Sequence, residues 1–180
     1  MVIKKSALII LRTLAGVVLA VTPQIGFART APLTQENLLD RIQIEDMMVD
    51  YYTLLTQPVR HDISEYFTED AVLYGNGQRF EGRAAIQTLY DNATDPRVQP
   101  SNTYNMVYSN PRITVTGNTA AMDAIWTGYL SDNQYTAPRL VEQGTEHTTF
   151  VKQKDVWMIA TRTIANVGGM LLFPIAAPGN

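Results

Sequence analysis

The stretch from residue 65 to 86, EYFTEDAVLYGNGQRFEGRAAI, places the strongest constraint on the fold. A short run of strand-forming residues is followed by Gly-Asn-Gly at 75–77, and both residue types tolerate the positive φ that a tight two-residue turn requires. The chain is therefore expected to reverse there and to pair residues 79–80 with residues 73–74. A helix is predicted to begin directly after this hairpin, at about residue 83.

Helices are predicted on both sides of the hairpin. Thr34 is placed to cap the first helix, which runs to about Leu55. Apolar residues recur along it at the spacing of one buried face, namely Leu38, Ile42, Met48, Tyr51, Tyr52 and Leu55, with Leu39, Ile44 and Met47 at its margin. A short second helix opens near Asp62, and a third runs from about residue 83 to 92 with its apolar residues turned inward.

The second half of the chain is rich in β-branched and aromatic residues. Strands are predicted at 104–109, 112–116, 119–130, 139–152 and 156–166, with turns at 110–111, 117–118, 132–133 and 154–155. Three helices followed by a meander of strands indicate an α+β domain. A chain of 180 residues, 46% of them hydrophobic, suits one such domain, here residues 29–180.

The end of the chain is apolar. Residues 167–169, Val-Gly-Gly, break the last strand, and residues 170–175 are too hydrophobic to be left in solvent. We call residues 167–180 the tail, and there are three ways in which it could be buried. It packs over its own sheet, it closes a pocket as a lid, or it forms the contact of a homodimer.

The first 28 residues have the composition of a secretory signal peptide. Lys4 and Lys5 give a positive start, an apolar run follows, and small residues around Ala28 suit a cleavage site. The uninterrupted apolar run, residues 13–21, is shorter than the ~20 residues that a membrane-spanning helix needs. We therefore expect a periplasmic or secreted protein without stable membrane insertion. Retention of the segment as a membrane tether is the alternative.

Charge and composition exclude several function classes. Without residues 1–28 the chain has 11 basic and 17 acidic residues, and no basic cluster, which argues against a nucleic-acid partner. It has no cysteine, and so neither a disulfide nor thiol chemistry. Its two histidines, His61 and His147, lie far apart and lack the spacing of metal ligands, so neither a metal nor a cofactor is expected.

A long amphipathic helix, then FTEDAV, a short hairpin and EGRAAI together resemble the SnoaL-like branch of the NTF2-like superfamily. The resemblance implies a cone, in which a curved mixed or antiparallel sheet wraps around three N-terminal helices and encloses a pocket. Members include small cyclases, isomerases and dehydratases, and also domains without an established activity. The resemblance therefore implies a pocket for a small molecule more directly than it implies catalysis.

Two positions where catalytic members tend to keep an acid or base are occupied differently here. The aspartate late in the first helix corresponds to Thr56, and the histidine on the first strand after the third helix corresponds to Asn105. Neither side chain readily exchanges a proton near neutral pH. Any acid–base chemistry must therefore use other residues.

Glu146 and His147 are the candidate replacements. Alternation along the strand places Glu146 on one face and His147 on the other, and the family alignment directs Glu146 towards the pocket. A one-residue bulge would exchange the two faces. In the competing interpretation His147 is a half-exposed strand residue and Glu146 pairs with Arg162 or Lys152 across neighbouring strands.

Four further residues are candidates for ligand contact. Tyr51 matches a tyrosine common in the family, and its hydroxyl could hold a carbonyl oxygen. Trp126, Phe150 and Arg162 complete the set, with plain core packing as the alternative for each aromatic ring. Asp123, flanked by apolar residues, is expected to face outward or to be a functional carboxylate held by Arg162.

These observations lead to two hypotheses from different classes. The first is an exported enzyme that binds a small hydrophobic molecule and uses His147 or Glu146 with Tyr51 in cofactor-independent lyase or isomerase chemistry. The second is a non-catalytic ligand-binding or dimerising module of the cell envelope. The type of side chain found near the Tyr51 hydroxyl discriminates between them.

Overall fold

The computed structural model describes residues 32–57, 62–75, 77–92 and 101–169. The predicted signal peptide, His61, the central turn residue Asn76 and the apolar run 170–175 lie outside these residues. No helix in the described part of the chain is long and apolar enough to cross a membrane.

The fold is α+β, with two helices packed on one face of an open, curved sheet of six strands. The elements in chain order are α1 (Gln35–Leu55), a 3-10 turn (Ile63–Tyr66), β1 (Phe67–Gly75), β2 (Gln78–Glu81), α2 (Arg83–Asn92), β3 (Thr103–Thr116), β4 (Thr119–Ser131), β5 (Arg139–Gln153) and β6 (Val156–Gly169). The strand order is β2-β1-β6-β5-β4-β3. Neighbours are antiparallel except for β1 and β6, so the sheet is mixed. We call the face that packs on the helices the inner face.

The local predictions around the hairpin and the first helix are confirmed. Leu73 pairs with Phe80 and Tyr74 with Arg79, as the turn at 75–77 requires. At the start of α1 the Thr34 side chain accepts from the Asn37 backbone N–H, and the Asn37 side chain accepts from the Thr34 backbone N–H. This reciprocal pair satisfies two amides that the first turn leaves free, which fixes where α1 begins.

Three predicted boundaries were wrong. Residues 167–169 do not break the last strand, because β6 continues to Gly169, which pairs with Glu142 of β5. The second helix is only the 3-10 turn, and residues 67–70 already belong to β1, where Phe67 lies beside Ile159 of the parallel strand β6. The predicted turn at 110–111 is a bulge inside one long strand, β3, with Asn110 at a φ of 54°. A bulge accommodates Pro111 because the ladder is already interrupted there and needs no N–H from it.

The apolar face of α1 is narrower than predicted. Ile44, Met48, Tyr51, Tyr52 and Leu55 are buried, but Leu38, Leu39 and Ile42 are 44%, 63% and 44% exposed. At 3.6 residues per turn these three residues lie roughly 120–160° around the helix from Ile44. The helix thus carries two apolar stripes, and only one of them contacts the sheet.

Asp40 joins α1 to the corner between β5 and β6. Its Oδ1 accepts from Lys152 Nζ at 2.7 Å and from Trp157 Nε1 at 3.1 Å. The Lys152 hydrogen bond holds the pKa of Asp40 below its usual value. Trp157 is buried and packs in the core. This contact sets the position of α1, so that the tyrosines near its C-terminal end face the middle of β6.

Candidate functional site

Glu146 and His147 lie on opposite faces of β5. Glu146 is 3% exposed on the inner face, opposite Ala124 of β4, whereas the His147 side chain is 53% exposed on the outer face, opposite Asp123. The irregularities in the β5–β6 ladder fall at 143–144 and 149–150, on either side of this pair, so alternation is regular across it. The unbulged register is therefore the correct one.

The carboxylate of Glu146 forms a buried ion pair with Arg162 of β6. Arg162 Nε donates to Glu146 Oε2 at 2.7 Å, and Nη2 lies 2.6 Å from the same oxygen. The side chain of Arg162 is 2% exposed and that of Glu146 is 0% exposed. Pairing with Arg162 was one of the two predicted interpretations of Glu146. Arg162 holds this carboxylate and not Asp123.

Three tyrosines complete the coordination of Arg162. Nη1 donates to the hydroxyls of Tyr51 and Tyr90, and Nη2 donates to the Tyr52 hydroxyl at 2.8 Å. The guanidinium carbon also lies 4.5 Å from the Tyr51 ring centroid and 5.4 Å from that of Tyr52, within the range of a cation–π interaction. With the two contacts to Glu146, all five N–H donors of the guanidinium are engaged. We call these five side chains the Arg162 cluster.

A count of protons leaves one free donor in the Tyr51–Tyr90 pair. The hydroxyls of Tyr51 and Tyr90 are 2.5 Å apart, and each also accepts from Arg162. Each phenol has one proton, and one of the two protons makes the bond between them. The other O–H therefore has no acceptor in the described structure, whichever hydroxyl carries it.

Burial raises the pKa of Tyr51 and of Tyr52 well above the usual value of 10.0, and the positive charge of Arg162 opposes this only in part. Burial by itself would lower the pKa of Arg162, but Glu146 and the surrounding phenols raise it above its usual value. The phenols accordingly stay neutral and the guanidinium stays charged at physiological pH. A neutral phenol polarised by a cation is a strong hydrogen-bond donor.

Three buried polar atoms near the cluster have no hydrogen-bond partner among the described residues. They are Glu146 Oε1, Thr148 Oγ1 and Trp126 Nε1. Glu146 and Thr148 are alternate inner-face residues of β5, and Trp126 of β4 stands opposite Gly144, the preceding inner-face residue. Such groups are rare in native structures and mark places that a ligand or water occupies.

The other residues considered for a functional site in the sequence analysis are not members of the Arg162 cluster. Phe150 is 1% exposed in the hydrophobic core. Asn105, which corresponds to the family's strand histidine, is exposed on the outer side of β3. Thr56 caps the end of α1 and donates to the Thr53 carbonyl. His147 Nδ1 lies 2.7 Å from Asp123 Oδ1, and the sheet separates both residues from the Arg162 cluster.

Several members of the site were not predicted. Tyr52 and Tyr90 were assigned only to helix packing, because nothing local indicates that their hydroxyls meet one arginine. Gly144 was also missed, although a glycine within a strand signals a close approach. Glu142, two inner-face residues before Glu146, is fully buried and accepts from the Tyr104 hydroxyl. Buried carboxylates are uncommon, so a sequence rarely predicts one. The one feature that could have suggested the burial of Glu142 is the apolar strand in which it lies.

A shallow surface depression lies between the start of α1 and the end of β3, lined by Leu33, Asn37, Arg41, Ile113, Thr114 and Val115. It contains none of the residues of the Arg162 cluster. The convergence of buried polar groups, and not a concave surface, identifies the Arg162 cluster as the candidate site. The described residues contain no group of three or more histidine or acidic side chains arranged to hold a metal ion.

Several solved structures share this fold at low sequence identity. A candidate scytalone dehydratase from Novosphingobium aromaticivorans is 21% identical with a TM-score of 0.63, and the match covers 81% of this chain and 95% of that chain. An NTF2-like protein with a cystatin-like fold from the same organism is 21% identical, with a TM-score of 0.63 and coverages of 78% and 92%. ActVI-ORFA from Streptomyces coelicolor is 13% identical, with a TM-score of 0.60 and coverages of 71% and 96%.

No curated protein shows a significant sequence match to this chain. The family model of the SnoaL-like domain matches residues 36–163, which extend from the first turn of α1 into β6 and include every member of the Arg162 cluster. The chain therefore belongs to the SnoaL-like domain family.

Proposed function

We propose that this protein binds a small hydrophobic ketone against the Arg162 cluster and enolises it, as a cofactor-independent isomerase or lyase. The observation that carries the proposal is a pair of unused groups around one buried cation. Glu146 Oε1 is an acceptor without a donor, and the Tyr51–Tyr90 pair has a proton without an acceptor. A base and an acid in a water-poor interior are what proton transfer next to a carbonyl requires.

The proposed reaction needs only these groups. Glu146 Oε1 removes a proton from the carbon beside the carbonyl, the C–H electron pair forms a C=C bond, and the carbonyl π pair moves to oxygen. The free phenol O–H donates to that developing oxyanion. In a β,γ-unsaturated ketone the enolate oxygen re-forms the C=O bond, the double bond shifts to the α,β position, and the γ carbon takes the proton back from Glu146, which completes an isomerisation. In a β-hydroxy ketone the enolate instead re-forms the C=O bond while the bond from the β carbon to the hydroxyl breaks, and the hydroxyl takes the proton from Glu146 and leaves as water.

Two further findings support this assignment. The raised pKa of Tyr51 keeps the donor neutral, so the phenol can donate throughout the physiological range. One neighbour of similar fold is named as a candidate dehydratase, and dehydration is the elimination described above. The likeness shows only the fold, so the residues of this chain carry the argument.

Exchange of carbon-bound hydrogen tests the proposal directly. Cyclohexanone incubated with the protein in D₂O is expected to gain deuterium beside its carbonyl faster than in buffer, as read by mass spectrometry. Glu146→Gln should reduce the enzymatic rate by about 10²-fold or more, the usual contribution of a general base. His147→Gln is the matched control because it changes the neighbouring residue on the outer face. Loss of exchange in His147→Gln alone would place the base there.

The alternative is a non-catalytic ligand-binding or dimerising module. It is favoured by the complete use of the five Arg162 donors within the protein, since such a cluster also serves to fix a core. Native mass spectrometry of protein isolated from its own cells distinguishes the two. A retained small molecule with no exchange of any ketone supports binding without catalysis.

Export is part of the proposal and rests on the composition of residues 1–28. A mature N-terminus at Arg29 in the periplasmic or secreted fraction is the expected result. A full-length chain in the membrane fraction would instead support the tether.

We further propose that the tail supplies a homodimer contact, in which case removal of residues 170–180 converts a dimer into a monomer in sedimentation.

A further inference from the structure

The two tryptophans of this chain differ in the state of their indole N–H groups. Trp157 Nε1 donates to Asp40 at 3.1 Å. Trp126 is 3% exposed, and its Nε1 has no acceptor among the described residues. A buried donor without a partner is costly, because it has lost its hydrogen bond to water and gained none in return. Trp126 therefore requires an explanation that packing alone does not give.

The position of Trp126 places this donor beside the Arg162 cluster. Its ring lies over Gly144, where a Cβ atom would stand only 2.2 Å from Cζ2 and 2.5 Å from Cε2, the carbon bonded to Nε1. Gly144 and Glu146 are successive inner-face residues of β5, about one strand repeat or 6.6 Å apart. The residue opposite Glu146 is Ala124, a small side chain. The Trp126 ring and the Glu146 side chain thus lie on the same face of the sheet, on neighbouring strands and one strand repeat apart along β5.

We infer that the ligand carries a second oxygen acceptor, remote from the reacting carbonyl, and that Trp126 Nε1 donates to it. The inference rests on the proposed function, since it assumes a carbonyl held by the Tyr51–Tyr90 pair. An indole N–H only donates, so the second group is a carbonyl, hydroxyl, ether or carboxylate oxygen. Trp126 then positions the molecule so that the carbon to be deprotonated faces Glu146. It selects substrates with two oxygen functions over those with one.

Two cyclic ketones provide matched probes. Cyclohexane-1,4-dione has a second carbonyl across the ring, where cyclohexanone has a methylene group. The dione should bind about fivefold more tightly, the factor expected for one neutral hydrogen bond. Trp126→Phe keeps an aromatic ring over Gly144 but removes the donor, so it should abolish the preference for the dione over cyclohexanone.

The wild-type protein gives a second readout that does not depend on a variant. Its two tryptophans give two indole N–H cross-peaks in a ¹H–¹⁵N spectrum. The dione should shift the Trp126 peak and leave the Trp157 peak in place, because Asp40 already holds the Trp157 N–H.

The possible results separate this inference from the proposed function. Equal binding of both ketones with an unmoved Trp126 peak overturns the inference, while deuterium exchange of cyclohexanone would still support enolisation. Failure to bind or exchange either ketone overturns both. A selective shift of Trp126 together with a preference that Trp126→Phe removes supports the inference, whatever the rate of exchange.

Discussion

Two side-chain pairs on neighbouring residues of β5 have nearly the same contact distance but differ in burial. Glu146 lies 2.6 Å from Arg162 on the inner face, and His147 lies 2.7 Å from Asp123 on the outer face. The side chains of the first pair are 0% and 2% exposed, whereas those of the second are 53% and 69% exposed. The strand alternation that puts these two residues on opposite faces thus puts one pair in the core and the other in solvent.

The comparison teaches that contact distance alone says little about the energy or the use of a charge. Water screens the outer pair, so holding it together contributes little free energy. The inner pair has lost its hydration, and each partner would be left as an unpaired buried charge without the other. It is also surrounded by the tyrosines that could act on a ligand. Four predictions test this difference, in order of decreasing effect.

Removing the cation of the inner pair should have the largest effect. Arg162→Met leaves the Glu146 carboxylate buried without its partner and the phenols without their donor. We expect the free energy of unfolding to fall by about 3–5 kcal/mol in urea denaturation. The control is Arg162→Met with Glu146→Met, which removes both charges and should recover most of the loss. A double variant as unstable as the single one would show that charge is not the cause.

High pH should have the second-largest effect, because it lowers the free energy of unfolding that the Arg162 cluster contributes. The pKa values of Tyr51 and Tyr52 are raised in the folded protein, so between the unfolded and folded pKa values the native state binds more protons. The free energy of unfolding that these raised pKa values contribute is fully present below about pH 10. As the pH rises above that value it is lost, by roughly 2.7 kcal/mol per pH unit for the two phenols. Denaturation from pH 8 to 11 measures this slope. Tyr66 and Tyr108 also have raised pKa values and add to the slope. Tyr51→Phe should therefore reduce it by the share of one phenol, up to about 1.4 kcal/mol per pH unit, and an unchanged slope would assign the effect to other tyrosines.

Two glycines of the sheet, Gly144 in β5 and Gly168 in β6, provide the third test. A methyl group at Gly144 meets the Trp126 ring and the Ala165 carbonyl oxygen, whereas one at Gly168 meets nothing within 4 Å. Gly144→Ala should therefore lower the free energy of unfolding by about 1–3 kcal/mol and shift the Trp126 resonance. Gly168→Ala should remain within about 0.5 kcal/mol of the wild type. Equal stability of the two variants would mean that Trp126 is not held over Gly144.

The outer pair should show the smallest effect. Asp123→Asn removes the charge that faces His147, and we expect a change of less than about 0.5 kcal/mol, which decreases further when salt is added. Ketone exchange should be unaffected because the sheet lies between this pair and Glu146. A larger or salt-independent loss would show that the outer face is covered in solution, as a homodimer through the sheet would require.

Local features of the fold were predictable because their causes lie within a few residues. The Thr34 cap depends on Asn37, three residues away, and the pairing of Leu73 with Phe80 depends on a turn whose residue types restrict its geometry. That Glu146 and His147 lie on opposite faces followed from alternation along β5. Each of these needs no knowledge of a distant partner.

The errors arose where a local signal has more than one tertiary outcome. Asn110 and Pro111 are as typical of a turn as of a bulge, and continuous pairing of β3 with β4 decided for the bulge. Leu38 and Ile42 fit an apolar helix face, but the sheet covers only the other stripe of α1. The sequence pattern gave no indication of which stripe would be buried.

By itself, the sequence determined the Thr34 helix cap, the hairpin register and the placement of Glu146 and His147 on opposite faces of one strand, because φ preferences and side-chain periodicity act over short distances. Which of the two residues faces inward was decided by the unbulged pairing of β5 with β4 and β6. The sequence also identified Tyr51, Glu146, Trp126 and Arg162 as separate candidates. Only the tertiary structure brought Tyr51, Tyr90, Glu146 and Arg162 together, across 111 residues between Tyr51 and Arg162. The physical reason is that a buried guanidinium must satisfy five donors at once, and the partners that can do so come from whichever elements meet at that point in the core.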